Sequence, residues 1–171
     1  MDDVLTLARS GNPAAFERLV TPYLKGLYGF IRKRVDEQAE DVYQETLLSA
    51  WQALPGFQQN ASVKTWLYAI AGYKCADALR KHMRQPQMEE MDERAASPGF
   101  EEGTLARMDI RDALDALGAE DQQLLYLVYH EGFTQKEAGV ILGIPEGTVK
   151  SRLYRLRGIL QQALGGEQDG T

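Results

Sequence analysis

A cluster of cationic side chains in the segment 146–157 has the composition of a DNA-reading surface. The segment contains four cations and one anion, Glu146. When its positions are placed at about 100° each, Ser151, Tyr154 and Arg155 lie opposite the apolar residues. Arginine can bind guanine through two hydrogen bonds or hold a phosphate, and small side chains let a helix approach the major groove closely. We therefore interpret the segment as a DNA-reading helix, with an ordinary solvated helix face as the alternative.

Two short helices joined by a tight turn would position these side chains. Thr134 is a good N-cap and Glu137 completes a T-x-x-E capping box, so the first helix is predicted to begin there. Gly143 ends it, and Pro145 can begin a second helix but cannot continue the first. This is the spacing of a helix-turn-helix. On the second helix, four apolar residues are expected to face the core: Val149, Leu153, Leu156 and Leu160.

The composition excludes several classes of protein. With 171 residues, 44% of them hydrophobic, the chain can form one ordinary globular domain or two small ones. It has no run near the ~20 apolar residues of a membrane span, and its acidic start does not resemble a signal peptide, so a cytoplasmic protein is predicted. The single cysteine, Cys75, is expected to be a buried apolar residue. Without a zinc motif, a carboxylate pair or a nucleophile–base pair, we expect no metal, cofactor or enzyme activity.

The charge is unevenly distributed along the chain. The net charge of -6 argues against a nucleic-acid binder, since such domains are often basic. However, residues 61–85 contain five cations and one anion, whereas residues 86–104 contain six acidic residues and one arginine. Basic surfaces on both sides of an acidic segment predict a protein that touches DNA at two places but binds it weakly alone.

Helical spacing fills most of the chain, and we find no strand pattern, internal repeat or nucleotide-binding glycine motif. The predicted fold is all-α, with two small helical domains joined by a flexible acidic linker. The predicted first domain, 1–84, contains five helical segments. The first spans residues 2–10 and is ended by Gly11, and the next two begin after the cap-and-start pairs Asn12-Pro13 and Thr21-Pro22. The fourth spans residues 36–54, and the fifth spans residues 63–83 after a loop at 57–62.

The predicted second domain follows the linker 85–104 and spans residues 105–164. Thr104 can cap its first helix, which Gly118 ends, and a further helix spans residues 120–131 before the helix-turn-helix. Residues 165–171 are expected to be a disordered tail. The apolar positions of the first helix are Leu105, Met108, Leu114 and Leu117.

An outward-facing leucine is predicted on the helix 36–54. Its buried stripe would consist of Tyr43, Leu47, Ala50 and Leu54. Leu48 falls on the opposite face among acids and amides, where it could dock a partner or be an ordinary exposed leucine. The residues that share its face are Asp41, Gln44, Glu45 and Gln52.

Aromatic and basic residues alternate on the long helix 63–83. Trp66 is interpreted as structural, whereas Tyr68 and Tyr73, near Lys64 and Lys74, could be core residues or could stack on unpaired bases.

With these motifs the chain resembles the extracytoplasmic-function sigma factors, a group of two-domain bacterial RNA polymerase sigma subunits. EDVYQETLLSAWQAL is similar to the family's polymerase-docking segment, ASVKTWLYAIAGYKCADALRK to its -10 segment, and LGIPEGTVKSRLYRLR to its -35 reading helix. The resemblance covers about residues 5–164.

The resemblance implies three sets of functional residues. Those for the polymerase clamp are Asp41, Gln44, Glu45 and Leu48, and those for the -35 element are Lys150, Ser151, Arg152, Tyr154 and Arg155, to which helical spacing adds Thr148 on the flank of the same face. Those for the unpaired -10 strand are Asn60, Ala61, Ser62 and Lys64, to which the aromatic and basic pattern of the long helix adds Tyr68, Tyr73 and Lys74.

The sequence also departs from the family pattern. Ala69, Gly72 and Tyr73 stand where the family often has Arg, Arg and Asn, so contacts near the -10 element are expected to differ. Gly139 stands where the family usually has Ala, which lowers helix propensity by about 1 kcal/mol and suits a close crossing of two helices.

The function implied is that of a dissociable promoter-specificity subunit with core RNA polymerase and promoter DNA as partners. The resemblance also implies an anti-sigma protein that covers the same surfaces. A stand-alone helix-turn-helix regulator, which would be a dimer, is the alternative. The inducing signal, the promoter sequence and the arrangement of the domains in the free protein do not follow from the sequence.

Overall fold

The computed structural model describes residues 2–84 and 109–168. Within these ranges the chain forms helices and no strand, as predicted for an all-α fold. The predicted linker 85–104 and the Thr104 cap lie outside the described residues. The α-helices are α1 Asp2–Arg9, α2 Pro13–Val20, α3 Leu24–Arg32, α4 Ala39–Ala53, α5 Val63–Arg84, α6 Ile110–Asp115, α7 Ala119–Leu125, α8 Gln135–Leu142 and α9 Glu146–Gln168.

Short 3-10 turns and one π-helical turn connect some of these helices. The 3-10 turns are Thr21–Tyr23, Asp36–Gln38 and Leu54–Gly56. The first two replace the starts of segments that were predicted as continuous helix, and the third includes Pro55 and Gly56, where the helix was predicted to break. The residues Tyr126–His130 continue α7 as a π-helical turn, and the Glu131 amide donates to the Tyr126 carbonyl at 2.9 Å. The sequence predicted an uninterrupted helix in this place.

Of the predicted caps, Asn12 forms as expected, whereas Thr21 lies in a 3-10 turn and its hydroxyl donates to the Glu17 carbonyl. The Asn12 Oδ1 atom accepts a hydrogen bond from the Ala15 amide at 3.1 Å, so Asn12 caps α2. Gly11 precedes it with a φ of 95°, a value that glycine adopts without strain. Farther along the chain, Asp109, which was not predicted as a cap, caps α6 by accepting from the Asp112 amide at 2.8 Å. Leu105 and Met108, predicted to lie on this helix, fall outside the described residues.

The helix-turn-helix consists of α8, a three-residue turn and α9, as predicted. Thr134 Oγ1 accepts from the Glu137 amide at 3.1 Å and caps α8. Gly143 ends α8 with a φ of 68°, in the left-handed region. Gly139 is buried, and a Cβ atom there would lie 2.8 Å from the Ile144 carbonyl oxygen. The glycine is therefore required by the close approach of the turn to α8.

Two predictions about helix faces and ends need correction. On α4 the buried line consists of Val42, Thr46 and Ala50, whereas Tyr43 and Leu47, predicted as buried, are half-buried. The buried face of α4 is rotated relative to the predicted one because α4 packs against both α3 and α5.

At the other end of the chain, α9 continues to Gln168, so residues 165–168 are helical and not disordered. Ala163 is buried and packs in one cluster with Ala113 of α6, which holds the last turns of α9 against the domain.

The two predicted domains pack against each other through α5 and α8. One continuous hydrophobic core contains Leu67 and Tyr68 of α5 together with Leu127, Phe133 and Ile141 of the second half. The chain is therefore closed on itself, with part of the long helix covered by the helix-turn-helix.

Candidate DNA and polymerase interfaces

Helix α9, predicted as the DNA-reading helix, presents the face that its amphipathic pattern predicted. Val149, Leu153 and Leu156 are fully buried, and Leu160 is half-buried. The Tyr154 side chain on the opposite face is 82% exposed. The other candidate -35 residues divide into exposed Lys150, Ser151 and Arg155 and half-buried Thr148 and Arg152.

Acidic residues at the start of α7 hold the arginines of this face. Arg155 Nη2 lies 2.8 Å from Asp121 Oδ2, and Arg152 Nη1 lies 3.3 Å from Glu120 Oε2. The other oxygen of Glu120 lies 3.2 Å from Arg34 Nη2, in the first domain. In each pair one side chain is more than half exposed and its partner is partly buried, so each pair contributes about 1 kcal/mol, and DNA can replace the acids at low cost. Sequence reasoning missed both acids, because the pairs join helices more than thirty residues apart.

The candidate polymerase-docking residues lie along one exposed strip of α4. Asp41, Gln44, Glu45 and Leu48 are spaced for one helix face, and all four are exposed. Leu48 is 56% exposed, an unusual position for a leucine surrounded by polar groups. The outward leucine predicted from the sequence is therefore present, on a surface that the other described residues leave exposed.

The loop before α5 contains the exposed candidates for contact with an unpaired strand. Asn60, Ala61 and Ser62 are exposed, and Ser62 caps α5 by accepting from the Thr65 amide at 3.1 Å. Gln59 has a φ of 60°, which turns the loop sharply. Ala61 and Ser62 line one edge of a cleft of about 450 Å³ whose walls come from α1, α2 and the start of α5. The cleft could accept a flat apolar group beside the exposed polar side chains.

Tyr68 was assigned to the same surface, and the structure shows that it is buried. Its ring is fully inaccessible and packs against Phe133 with 5.0 Å between centroids. Its hydroxyl donates to Glu131 Oε2 at 3.1 Å. Tyr73, by contrast, is 62% exposed, and Lys74 is half-buried. The assignment of Tyr68 to base stacking is therefore wrong, because Phe30 of α3 and Phe133 of the second domain both pack against its ring.

Glu131 is the centre of a polar cluster between the two domains. Its Oε2 atom lies 3.1 Å from Lys64 Nζ, and its Oε1 atom lies 3.1 Å from His130 Nδ1. Burial alone would raise the pKa of Glu131, but hydrogen bonds from Lys64, His130 and Tyr68, together with the charge of Lys64, outweigh it and lower the pKa. The Glu131 carboxylate is therefore ionised at neutral pH.

The described residues contain no group of His, Cys, Asp and Glu side chains suited to a metal ion. Nor is any helix among them long and apolar enough to cross a bilayer. Cys75 is fully buried, as predicted, and burial raises the pKa of its thiol to about 11.

Comparisons with known proteins agree with this geometry. Residues 19–85 match the family model of Sigma-70 region 2, and residues 107–160 match that of Sigma-70 region 4. The ECF RNA polymerase sigma factor SigM of Mycobacterium tuberculosis is 30% identical over 95% of this chain and 84% of its own length. The RNA polymerase sigma-H factor of Pseudomonas aeruginosa is 32% identical over 90% of this chain and 88% of its own length.

Two solved structures show a similar arrangement of helices. The sigma factor RpoE from Bartonella quintana, solved with the anti-sigma factor NepR, has a TM-score of 0.64 and 26% identity, covering 88% of this chain and 96% of its own. CnrH, solved with the cytosolic domain of CnrY, has a TM-score of 0.63 and 25% identity, covering 95% of each chain. The chain belongs to the extracytoplasmic-function sigma factors of the sigma-70 family.

Proposed function

We propose that this sigma factor docks on core RNA polymerase through α4 and selects promoters through α9 and the loop before α5. The observation that supports this most directly is the pair of exposed functional faces on one chain. Leu48 with its polar neighbours lies on α4, and the cationic face around Arg155 lies on α9. A protein with both faces can place a polymerase at a chosen DNA sequence. Membership of the sigma factor family excludes the alternative of a stand-alone regulator.

The docking contact would involve Asp41, Gln44, Glu45 and Leu48. An exposed leucine with one carboxylate, Glu45, one turn before it and another, Asp41, two turns before it suits a partner surface that is apolar opposite the leucine and basic beside it. The family match places this helix within Sigma-70 region 2, residues 19–85.

The DNA contacts would divide between base reading and phosphate contact. Arg152, Arg155 and Lys150 lie on or beside the exposed face of a helix that enters the major groove by its N-terminal half. Ser151 and Gly147 provide the small surface that close approach requires. The -10 strand would contact Asn60, Ala61, Ser62 and Tyr73, which are exposed, and Lys64 and Lys74, which are half-buried.

The boundaries proposed for the functional units are residues 1–84 for docking and the -10 element, and 105–164 for the -35 element. Residues 85–104 would connect them. Because the similar sigma factor RpoE was solved with the anti-sigma factor NepR, we also propose that an anti-sigma protein controls this chain. Transcription takes place in the bacterial cytoplasm, which is the proposed location.

Run-off transcription with core polymerase and a genomic promoter library tests the proposed function. We expect new start sites that depend on the added protein, and co-purification of the protein with core polymerase. The Leu48→Asp variant should neither produce the new start sites nor co-purify with core polymerase, while its circular dichroism spectrum remains that of wild type. If the wild-type chain neither binds core polymerase nor produces new start sites, the proposed function is wrong.

A further inference from the structure

Three arginines of α9 each contact a side chain of α7 or of the π-helical turn that continues it. The pairs are Arg152 with Glu120, Arg155 with Asp121, and Arg157 with Tyr129. Lys150 pairs instead with Glu146 of its own helix, at 4.0 Å. A second helix of the same domain therefore supplies partners to arginines that lie on or beside the exposed face of α9.

Asp121 is the best anchored of these partners. Arg155 Nη2 donates to its Oδ2 atom at 2.8 Å, the shortest ion pair among the described residues. The Asp121 side chain is 17% exposed, whereas that of Glu120 is 56% exposed and is shared with Arg34. A partly buried carboxylate on a short side chain has few other places to go, so Asp121 offers Arg155 a fixed acceptor.

The Arg155 guanidinium can contact Asp121 and a base at the same time. A guanidinium carries more N–H donors than one base edge can accept. The ion pair with Asp121 uses an N–H of Nη2 through one carboxylate oxygen. The remaining donors suffice for the paired hydrogen bonds by which arginine recognises guanine. A phosphate could replace Asp121 as the partner of Arg155, whereas a base edge does not have to.

A fixed partner affects discrimination between base pairs more than overall affinity. An arginine without a partner has many rotamers, and its charge attracts any nearby phosphate. When Asp121 holds Nη2, the guanidinium plane has one direction, and a base pair whose acceptors lie elsewhere leaves N–H groups unpaired. The carboxylate also repels the phosphate backbone, which lowers affinity for DNA of any sequence. Asp121 should therefore increase selectivity and decrease non-specific binding.

We propose that Asp121 is a positioning residue for promoter selection, which orients Arg155 toward one base pair of the -35 element. Asp121 contacts no base itself and stays bound to Arg155 in the complex with DNA. The base that suits this arrangement is guanine, since it presents two acceptors side by side in the major groove. The proposal rests on the proposed function, because it takes Arg155 as a residue that reads the -35 element.

Asp121→Ala tests this proposal, with Glu120→Ala as its matched control. Both changes remove one carboxylate in the first turn of α7 that contacts an arginine of α9, and both introduce a good helix former. The probes are fluorescent duplexes with a promoter found by run-off transcription and all of its single base-pair variants in the -35 element. Affinity is measured for holoenzyme reconstituted from each variant and core polymerase.

The expected result combines weaker discrimination with stronger non-specific binding. Asp121→Ala should reduce discrimination by about threefold or more at the guanine where Arg155→Ala loses its preference. It should also bind the duplexes that wild type binds most weakly more tightly than wild type does. Glu120→Ala removes the same charge and should share only the second effect at this guanine, with any change in discrimination at the positions read by Arg152. Asp121→Asn should act in the same direction and serves if Asp121→Ala does not fold.

The double variant with Asp121→Ala and Arg155→Ala shows whether Asp121 acts through Arg155. If it does, removal of Asp121 causes no further loss of discrimination once Arg155 is absent. An equal loss with and without Arg155 would overturn the proposal, because Asp121 would then act by another route. Unchanged discrimination in folded Asp121→Ala and Asp121→Asn would overturn it as well and would leave the pair as an ordinary contact between two helices.

The outcomes separate this proposal from the proposed function. If Arg155→Ala loses preference at a base pair and the Asp121 variants do not, only the role of Asp121 is wrong. If Arg155→Ala keeps its preference at every position, the assignment of Arg155 fails together with that of Asp121. The absence of new start sites with wild-type protein and core polymerase would instead refute the proposed function as a whole.

Discussion

Replacement of Arg155 by alanine should change promoter preference while it leaves the fold intact. The Arg155 side chain is 53% exposed and its contact with Asp121 Oδ2 is an ion pair at 2.8 Å. Exposed ion pairs contribute at most about 1 kcal/mol to the free energy of unfolding. Loss of a guanidinium that reads one base pair costs about 1–3 kcal/mol of discrimination, or roughly 5- to 150-fold in relative affinity. The effect on recognition should therefore exceed the effect on stability.

The assay measures binding of reconstituted holoenzyme to promoters that differ by single base pairs in the -35 element. Arg155→Ala should reduce the preference at one or two adjacent positions and leave the others unchanged. Arg157→Ala is the matched control, since this arginine lies on the same helix and its Nε atom donates to the Tyr129 hydroxyl at 2.7 Å. It is not assigned to base reading, so its loss should weaken all promoters equally or have no effect.

Two results would refute the assignment of Arg155. An unchanged preference at every position would remove it from the residues that read bases. A uniform loss of affinity across all promoters would make it a phosphate contact, because phosphate contacts do not depend on sequence. Thermal unfolding of both variants shows whether a change in binding comes from a change in stability.

Three further predictions follow from single residues. Leu48→Asp should abolish binding to core polymerase in a pull-down, while Leu7→Asp, at another exposed leucine, should bind normally; normal binding by Leu48→Asp would disprove the docking contact. Because the pKa of Glu131 is lowered in the folded chain, its ionised form stabilises the fold at pH values above 4.5, the ordinary pKa of the group. This contribution is lost as the pH falls from 4.5 through the lower pKa that Glu131 has in the folded chain. Denaturant titrations should show a steeper loss of stability on acidification below about pH 4.5 in wild type than in Glu131→Gln, and equal slopes would contradict the pairing with Lys64. Cys75, buried and with its pKa raised to about 11, should not react with Ellman's reagent at pH 8 until denaturant is added, and fast labelling of the folded chain would show that the site opens.

The helix ends could be predicted from the sequence because their causes are local. Asn12 and Thr134 accept hydrogen bonds from amides three residues later, and Gly143 adopts a backbone conformation that other residues avoid. These signals act within a few residues and need no knowledge of the fold. The amphipathic pattern of α9 is equally local, which explains why its buried and exposed faces were predicted correctly.

The interdomain contact could not be predicted in the same way. Lys64 and Glu131 are 67 residues apart, and no local rule pairs one lysine with one of many acids. Glu120 and Asp121 resemble an ordinary acidic first turn, which favours a helix N-terminus without any partner. The partners of these residues follow from how the two domains pack.

The burial of Tyr68 could have been predicted from the sequence, because the spacing of its apolar neighbours indicates a core position. Tyr68, Ala71 and Cys75 are spaced by three and four residues and are all fully buried, so apolar periodicity alone assigns Tyr68 to the core. Tyr73 does not share this spacing and is exposed. The presence of nearby lysines favoured a role in stacking for both residues, and for Tyr68 the periodicity was the better guide.

Gly139 has a consequence for the engineering of promoter specificity. The Ile144 carbonyl rests where a side chain of residue 139 would be, and Val149 Cγ2 would lie 3.5 Å from a Cβ atom there. The angle at which α9 leaves the turn is therefore set by α8 as well as by α9 itself. A chimera that takes only α9 from a relative with a larger residue at this position would combine two incompatible surfaces. Exchange of promoter specificity between such proteins should therefore transfer α8, the turn and α9 as one unit.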